Sequence, residues 1–279
     1  MDISLGYSPC PNDTFIFGAL ANNMIDPGNF TFAVQLEDVE TLNRFCAEKR
    51  LDVTKISIAA LAHCFKDYAL LSSGGALGRG CGPLIVARPG AKIETMAESA
   101  VAVPGTLTTA HLLLSLFLGK CPRVLPIPFD AIMPAVQKGD CVYGVIIHEG
   151  RFTFQNYGLT CLLDLGEWWE RKTSLPIPLG GIAIRRNLAE TAAGEISSLI
   201  RRSLTFAWEN PSRLQEYIRA HAQEMEAGVI QEHIRLYVND FSRDLGMEGR
   251  QAIRELLRAG SEVGLLPSLN EDIFAEPES

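Results

Sequence analysis

His148 stands directly after the apolar segment 142–147 and before Glu149 and Gly150. An apolar run of this length is typical of a buried strand, so the histidine is expected at the carboxyl end of that strand. Imidazole titrates near neutral pH, and a histidine held there is well placed to act as a general base. A lone histidine often has only a structural role, and this alternative stays open. The strand-end position makes His148 the candidate catalytic residue.

The other four histidines have less favourable surroundings. His63 lies in an apolar helical run, and His111 is interpreted as a packing residue. His221 and His233 fall in the helical C-terminal part of the chain, where a solvated or capping role is expected. None of these four is therefore a predicted site residue.

The turn after the first predicted strand, residues 8–14, contains two prolines and the pair Asn12 and Asp13. The prolines stiffen the turn, and Asn12 or Asp13 is expected to cap the next helix. Ligands of open α/β sheets bind beyond the carboxyl ends of the strands, where this turn must lie. A capped turn without a function is the alternative. We predict that Asn12 and Asp13 line a binding site.

Segment 104–110 lies between a predicted strand and a predicted helix, and it ends in Thr108, Thr109 and Ala110. Threonine hydroxyls and the free N–H groups of a helix start together form a neutral anion site, suited to a carboxylate or a hydroxyl. Simple helix capping explains the same residues equally well. These three are candidate substrate-binding residues.

Lys55, Ile56 and Ser57 form a third candidate group, in which one cation interrupts an apolar strand. Alternation along a strand puts Lys55 and Ser57 on the same face. A buried lysine is costly unless it is paired, so Lys55 must either meet an acid or contact a substrate anion. The sequence leaves both possibilities open.

Short apolar runs alternate with helical stretches over residues 3–58, in the order β-α-β-α-β, and a second such set covers residues 100–147. This alternation is typical of parallel sheets with helices on their faces, and it predicts an α/β fold with two lobes. The Gly-rich segment 74–82 is interpreted as a flexible loop between the lobes. Residues 175–184 could return the chain to the first lobe, and residues from 190 onward are predicted to be helical.

The composition is that of a globular protein, with 47% hydrophobic and 21% charged residues in a chain of 279. No segment approaches the ~18 to 20 uninterrupted apolar residues of a membrane span, so a soluble protein without a membrane partner is expected. Residues 1–7 alternate as a strand does and lack the features of a signal peptide. We therefore expect a cytoplasmic protein.

The formal net charge of −8 is spread along the chain, and no run of Lys or Arg forms a basic stripe. This argues against a nucleic-acid partner and favours a small anionic substrate, bound by single cations and helix starts. Seven dispersed cysteines without a C-x-x-C pair argue against disulfides and a closed zinc site. Nucleotide-binding and metal-ligand motifs are absent as well, so no metal and no cofactor is expected.

Four segments follow one another along the chain: SPCPNDTF at 8–15, GRGCGP at 78–83, PGT with TTA at 104–110, and IHEG at 147–150. Their order resembles the 1,4-dihydroxy-6-naphthoate synthase family, whose members act in the futalosine route to menaquinone. The resemblance spans nearly the whole chain, and its first and last segments are the most specific.

This resemblance implies a two-lobed fold similar to the type 2 periplasmic binding proteins, with a ligand cleft between the lobes. We place lobe 1 at residues 1–88 and 181–279, including the C-terminal helices, and lobe 2 at residues 89–180. The implied reaction is the cleavage of cyclic dehypoxanthinyl futalosine to 1,4-dihydroxy-6-naphthoate, with release of a three-carbon fragment, dihydroxyacetone. By the same resemblance His148 is the proton acceptor.

The resemblance also implies that residues 55–57, Thr109 and Ala110 line the substrate site. Two other functions stay open at this point: chorismate dehydratase, an enzyme of the same pathway and fold, and a non-catalytic protein that binds a small carboxylate. The sequence does not distinguish a monomer from a homodimer.

Overall fold

A computed structural model describes residues 1–222 and 226–277 of the chain. Its strands are β1 (Asp2–Tyr7), β2 (Thr31–Leu36), β3 (Val53–Ser57), β4 (Tyr68–Leu70), β5 (Ala76–Gly78), β6 (Leu84–Ala87), β7 (Val101–Val103), β8 (Val124–Pro126), β9 (Tyr143–Ile146), β10 (Thr160–Asp164) and β11 (Ile177–Arg185).

The α-helices alternate with these strands as far as β11 and dominate the chain after it. They are α1 (Pro11–Ala21), α2 (Val39–Ala47), α3 (Ile58–Cys64), α4 (Thr109–Leu118), α5 (Phe129–Lys138), α6 (Gly150–Thr153), α7 (Leu165–Thr173), α8 (Arg186–Glu209), α9 (Pro211–His221), α10 (Ala227–Tyr237), α11 (Asp240–Arg243) and α12 (Gly246–Glu262). Short 3-10 helices cover Ile93–Glu98 and Phe154–Tyr157.

The first sheet has the strand order β2-β1-β3-β11-β4, and β5 also pairs with β11. Strand β1 is parallel to both β2 and β3. The carboxyl ends of β1 and β3 therefore lie side by side, which brings the turn after Tyr7 next to Ser57. Strand β11 is antiparallel to β3, with Ile182 opposite Lys55.

The second sheet has the order β10-β6-β9-β7-β8. Strand β7 is parallel to β8 and to β9, whereas β6 is antiparallel to β9 and β10. Because β7 and β9 run the same way, the segment after Val103 and the turn after Ile146 meet at one edge of this sheet. Each lobe thus carries two of the predicted site segments at one sheet edge.

The largest buried cluster contains residues of both sheets and their helices. It joins Ile56 and Leu61 of the first lobe to Val103 and Leu113 of the second. A second cluster packs α1 against α8 and β1, and a third fills the space between β6, β9 and α5. The two lobes therefore share a continuous apolar core behind the cleft.

The Gly-rich segment 74–82 connects the two sheets, as expected, but the prediction of a flexible loop is wrong for its middle. Residues Ala76–Gly78 form β5 and are buried against β11. Gly74 has a positive φ of 81°, and a Cβ at that position would lie 2.4 Å from Cγ1 of Ile182. Close packing against β11 explains the glycine there.

The lobe boundaries expected from the sequence, residues 1–88 with 181–279 against residues 89–180, stay a prediction. On strand pairing alone, β6 groups with the second sheet, because both of its partners belong to that sheet. The whole of β11 groups with the first sheet. Among the residues described, no helix is both long enough and apolar enough to cross a lipid bilayer.

Candidate active site

The cleft between the two sheets brings together almost every predicted site residue. Those that line it are Asn12, Asp13, Lys55, Ser57, Thr108, Thr109, Ala110 and His148. Ile56 is the exception: its side chain is fully buried in the shared core. The alternation of β3 turns Lys55 and Ser57 toward the cleft and Ile56 away from it.

The turn after β1 is organised around the carboxylate of Asp13. Its Oδ1 accepts hydrogen bonds from Nζ of Lys55 at 2.7 Å and from Nδ2 of Asn12 at 2.8 Å. Its Oδ2 accepts from the backbone N–H of Ser8 at 3.1 Å and from the Ser8 hydroxyl at 2.7 Å. Asp13 is 0% exposed and Lys55 only 5%. The buried charges are thus paired and their hydrogen bonds satisfied, as burial requires.

Two expectations from the sequence are settled by this arrangement. Lys55 does meet an acid, while its side chain still borders the cleft. The expectation that Asn12 or Asp13 caps the helix is wrong, because Cys10 occupies the N-cap position and Pro11 is the first helical residue. Proline is well suited to that first position, since it needs no hydrogen-bonding N–H there.

Ser57 ends β3 and is held by the side chain of Asn43 on α2. The Ser57 N–H donates to Oδ1 of Asn43 at 2.9 Å, and Nδ2 of Asn43 donates to the Ser57 hydroxyl at 3.0 Å. Both groups are buried. The hydroxyl orientation at the cleft is therefore set by α2.

The start of α4 contributes the cleft wall on the second lobe. Thr108 is the N-cap, and its hydroxyl accepts from the N–H of His111 at 3.3 Å. The Thr109 hydroxyl donates to the carbonyl oxygen of Leu179 on β11 at 2.8 Å and accepts from the N–H of Ala59 at 3.3 Å. Thr109 thus joins the lobes directly. Nδ1 of His111 lies 2.9 Å from the Thr106 carbonyl oxygen, which fits its expected structural role.

His148 follows β9 and lines the cleft from the second lobe. Its φ of 55° is in the left-handed region, which residues other than glycine seldom adopt and which is often found at functional sites. The ring lies 5.2 Å from that of Phe129. Burial lowers the pKa of His148 to about 4. At neutral pH the imidazole is therefore uncharged, with a ring nitrogen free to accept a proton.

His233, on α10, is the residue that sequence reasoning missed. It is 0% exposed, so the expected solvated or capping role is wrong. Its Nε2 lies 3.0 Å from Oδ1 of Asn12, and its ring is parallel to that of His148, with centroids 6.0 Å apart. Burial, together with nearby His148 and Lys55, holds the pKa of His233 well below its usual range.

Cys10 and Glu149 lie beside His148, and both are buried. The ligand atoms of Cys10, His148 and Glu149 are all within 4.8 Å of one another. Burial and the nearby Glu149 raise the pKa of the Cys10 thiol well above its usual value. Of the described residues, these three form a group that could hold a metal ion.

A profile of the family described as menaquinone biosynthesis matches residues 3–262. This match covers β1 through α12 and every residue of the cleft discussed above. The chain belongs to the menaquinone biosynthesis family.

Two relatives of this menaquinone biosynthesis family member have the same name as each other. The chain is 45% identical to the 1,4-dihydroxy-6-naphthoate synthase of Streptomyces coelicolor, over 99% of its own length and 98% of the relative. It is 47% identical to the 1,4-dihydroxy-6-naphthoate synthase of Thermus thermophilus, with 98% of each chain covered. Both matches span nearly the whole chain and so include both lobes.

Solved structures resemble the fold of this menaquinone biosynthesis family member. A protein from Archaeoglobus fulgidus superposes with a TM-score of 0.89 at 34% identity, covering 95% of this chain and 98% of its own. The alkanesulfonate-binding protein of Xanthomonas axonopodis has a TM-score of 0.73 at 10% identity, covering 96% and 94%. The second similarity concerns the fold alone. The predicted two-lobed α/β fold of the periplasmic binding protein type is confirmed.

Proposed function

We propose that this protein is a 1,4-dihydroxy-6-naphthoate synthase, a lyase that acts in the cytoplasm on cyclic dehypoxanthinyl futalosine and releases dihydroxyacetone. The observation that carries the proposal is His148, an uncharged imidazole in a strained backbone conformation at the cleft. Support comes from the two full-length relatives of that name.

His148 acts as the general base in this proposal. Its neutral ring takes the proton from a substrate hydroxyl, the O–H electron pair forms a carbonyl, and the adjacent carbon–carbon bond breaks in a retro-aldol step. The electron pair of the broken bond passes to the ring fragment as an enolate. Aromatisation of the naphthalene ring then favours the products. Proton transfer to a positioned base typically contributes ~10² to 10⁴-fold to the rate. A base that is neutral at physiological pH needs no prior deprotonation.

The anionic group of the substrate is proposed to lie between Lys55 and the start of α4. The positive charge of Lys55 is shared with Asp13, so the ammonium contributes mainly its remaining N–H donors. The first N–H groups of α4, near Thr109 and Ala110, have no partners within their own helix, and they favour an anion. The hydroxyl of Ser57 and the amide of Asn12 complete the polar wall.

Lobe closure is proposed to exclude water during the reaction. Hydrogen bonds already join the lobes at the cleft. Thr109 donates to Leu179, and Glu40 of α2 accepts from the N–H of Leu107 at 3.3 Å. Exclusion of water strengthens electrostatic interactions inside the site and protects the intermediates.

The proposal is tested by incubating the purified protein with cyclic dehypoxanthinyl futalosine and following naphthoate absorbance and dihydroxyacetone release. Equimolar formation of both products is expected. Chorismate in a parallel assay tests for a chorismate dehydratase, and product from chorismate alone would overturn the proposal. Stoichiometric binding of the futalosine compound without any product would instead indicate a binding protein.

A further inference from the structure

Three side chains with different donor atoms converge behind the cleft. Cys10 comes from the turn after β1 in the first lobe, whereas His148 and Glu149 come from the turn after β9 in the second. Their sulfur, nitrogen and oxygen atoms lie within 4.8 Å of one another, and the carboxylate and thiol are buried. Zn²⁺ binds ligand atoms of these three kinds at ~2.0 to 2.3 Å, so atoms this close to one another can share one ion.

The tautomer of His233 is a second, independent observation at this place. The carboxylate of Asp13 can only accept, so Asn12 must present Nδ2 to it and Oδ1 to His233. Nε2 of His233 is then the nitrogen that carries the hydrogen, and in the neutral ring Nδ1 carries a lone pair.

That lone pair points toward a carboxylate. Nδ1 of His233 is 3.7 Å from Oε2 of Glu149, and it has no hydrogen-bond donor within the part of the chain that the structure describes. A buried ring nitrogen that accepts no hydrogen bond is costly unless a donor or a cation satisfies it. His233 therefore places a buried lone pair next to this group of side chains that a cation can satisfy.

We propose that Cys10, His148 and Glu149 bind a thiophilic divalent cation such as Zn²⁺, and that its binding inhibits the enzyme. Three protein ligands of S, N and O type with one open position suit Zn²⁺ or Co²⁺. Coordination releases the thiol proton of Cys10 to solvent and occupies the lone pair of His148. The proposed base is then blocked, and the metal links the two lobes.

Spectroscopic titration with Co²⁺ tests the site without any enzymatic assay. The metal-free protein, kept reduced, is titrated with Co²⁺ while the near-ultraviolet thiolate-to-cobalt absorption is recorded. One equivalent is expected to produce the band in the wild type and in Cys161→Ser, which removes an exposed cysteine elsewhere. Cys10→Ser is expected to lack it. No band in the wild type, or an unchanged band in Cys10→Ser, would overturn the inference.

Glu149→Gln is the second variant, in case Cys10→Ser does not fold as judged by circular dichroism. This variant retains the thiol, so the cobalt band is expected at saturation. Its affinity for Co²⁺ is expected to fall at least about tenfold, which is the typical effect of losing a partner at a metal site. Unchanged affinity in Glu149→Gln contradicts the proposed ligand set.

Inhibition is measured by adding Zn²⁺ to the naphthoate assay and then removing the metal with a chelator. This measurement rests on the proposed function. Wild-type activity is expected to fall with Zn²⁺ and to recover with the chelator. Activity that is insensitive to saturating Zn²⁺ overturns the inhibitory role. Absence of turnover in the metal-free wild type contradicts the proposed function and leaves the cobalt result valid, so the two failures are distinguishable.

Discussion

His233 donates a hydrogen bond from Nε2 to Oδ1 of Asn12 at 3.0 Å, and so connects α10 to the turn after β1. Asn12 in turn donates to Asp13, which accepts from Lys55. The four side chains form one continuous buried chain from the C-terminal helices to the cleft. With one amide hydrogen bound to Asp13, the second hydrogen of Asn12 is available to a ligand. His233 is therefore a positioning residue for Asn12.

Replacement of His233 by Leu is expected to lower kcat/KM about tenfold or more. The buried oxygen of Asn12 loses its donor, and leaving a buried acceptor unsatisfied costs ~1 to 3 kcal/mol of free energy. A loss of ~1.4 kcal/mol in transition-state stabilisation lowers the rate tenfold. His233→Gln, whose amide can donate to the same oxygen, should retain more activity. His221→Leu, on α9, is the control and should remain near the wild type. Steady-state kinetics measure all three, and equal loss in the Gln and Leu variants would contradict the positioning role.

The alternation of strands and helices made the α/β lobes predictable. The strand-end positions of Asn12 and His148 made both residues site candidates, and the family resemblance implied the cleft between the lobes. His233 could not be found in this way. Its partner Asn12 lies 221 positions away, and nothing in the local pattern of α10 distinguishes a buried histidine from a solvated one. The helix cap was missed because the helix starts at Pro11 and its N-cap is Cys10, two or three residues before the polar pair.

Replacement of Lys55 by Met should destabilise the protein by ~3 to 5 kcal/mol, because it leaves the buried carboxylate of Asp13 without its cation. Lys49 forms an ion pair of the same 2.7 Å length with Asp67, but its side chain is 52% exposed. Lys49→Met is thus a matched control, with an expected loss of about 1 kcal/mol or less. Urea unfolding measures both, and similar losses in the two variants would argue against the buried pair as a structural element.

The free energy of unfolding should fall as the pH is lowered from about 6.5 toward 4. The unfolded chain protonates His148 near its ordinary pKa of about 6.5, whereas the folded chain does so only at about 4. Between these values the unfolded state binds more protons, so acid favours it, by at most ~1.4 kcal/mol per pH unit for this one group.

Chemical unfolding of the wild type and of His148→Asn at several pH values between 4 and 8 measures this contribution. The variant should lose less stability on acidification, because its amide does not titrate. His111→Asn, at the start of α4, is the control and should keep the wild-type pH dependence. Parallel curves for the wild type and His148→Asn would show that His148 is not held neutral by the fold.

Turnover of cyclic dehypoxanthinyl futalosine by wild type and His148→Asn, measured together with binding of the same compound, tests the central claim most directly. The account predicts naphthoate formation by the wild type, a kcat ~10² to 10⁴-fold lower in the variant, and a dissociation constant within a few-fold of the wild type. A variant with near-normal kcat would contradict the assignment of His148 as the base.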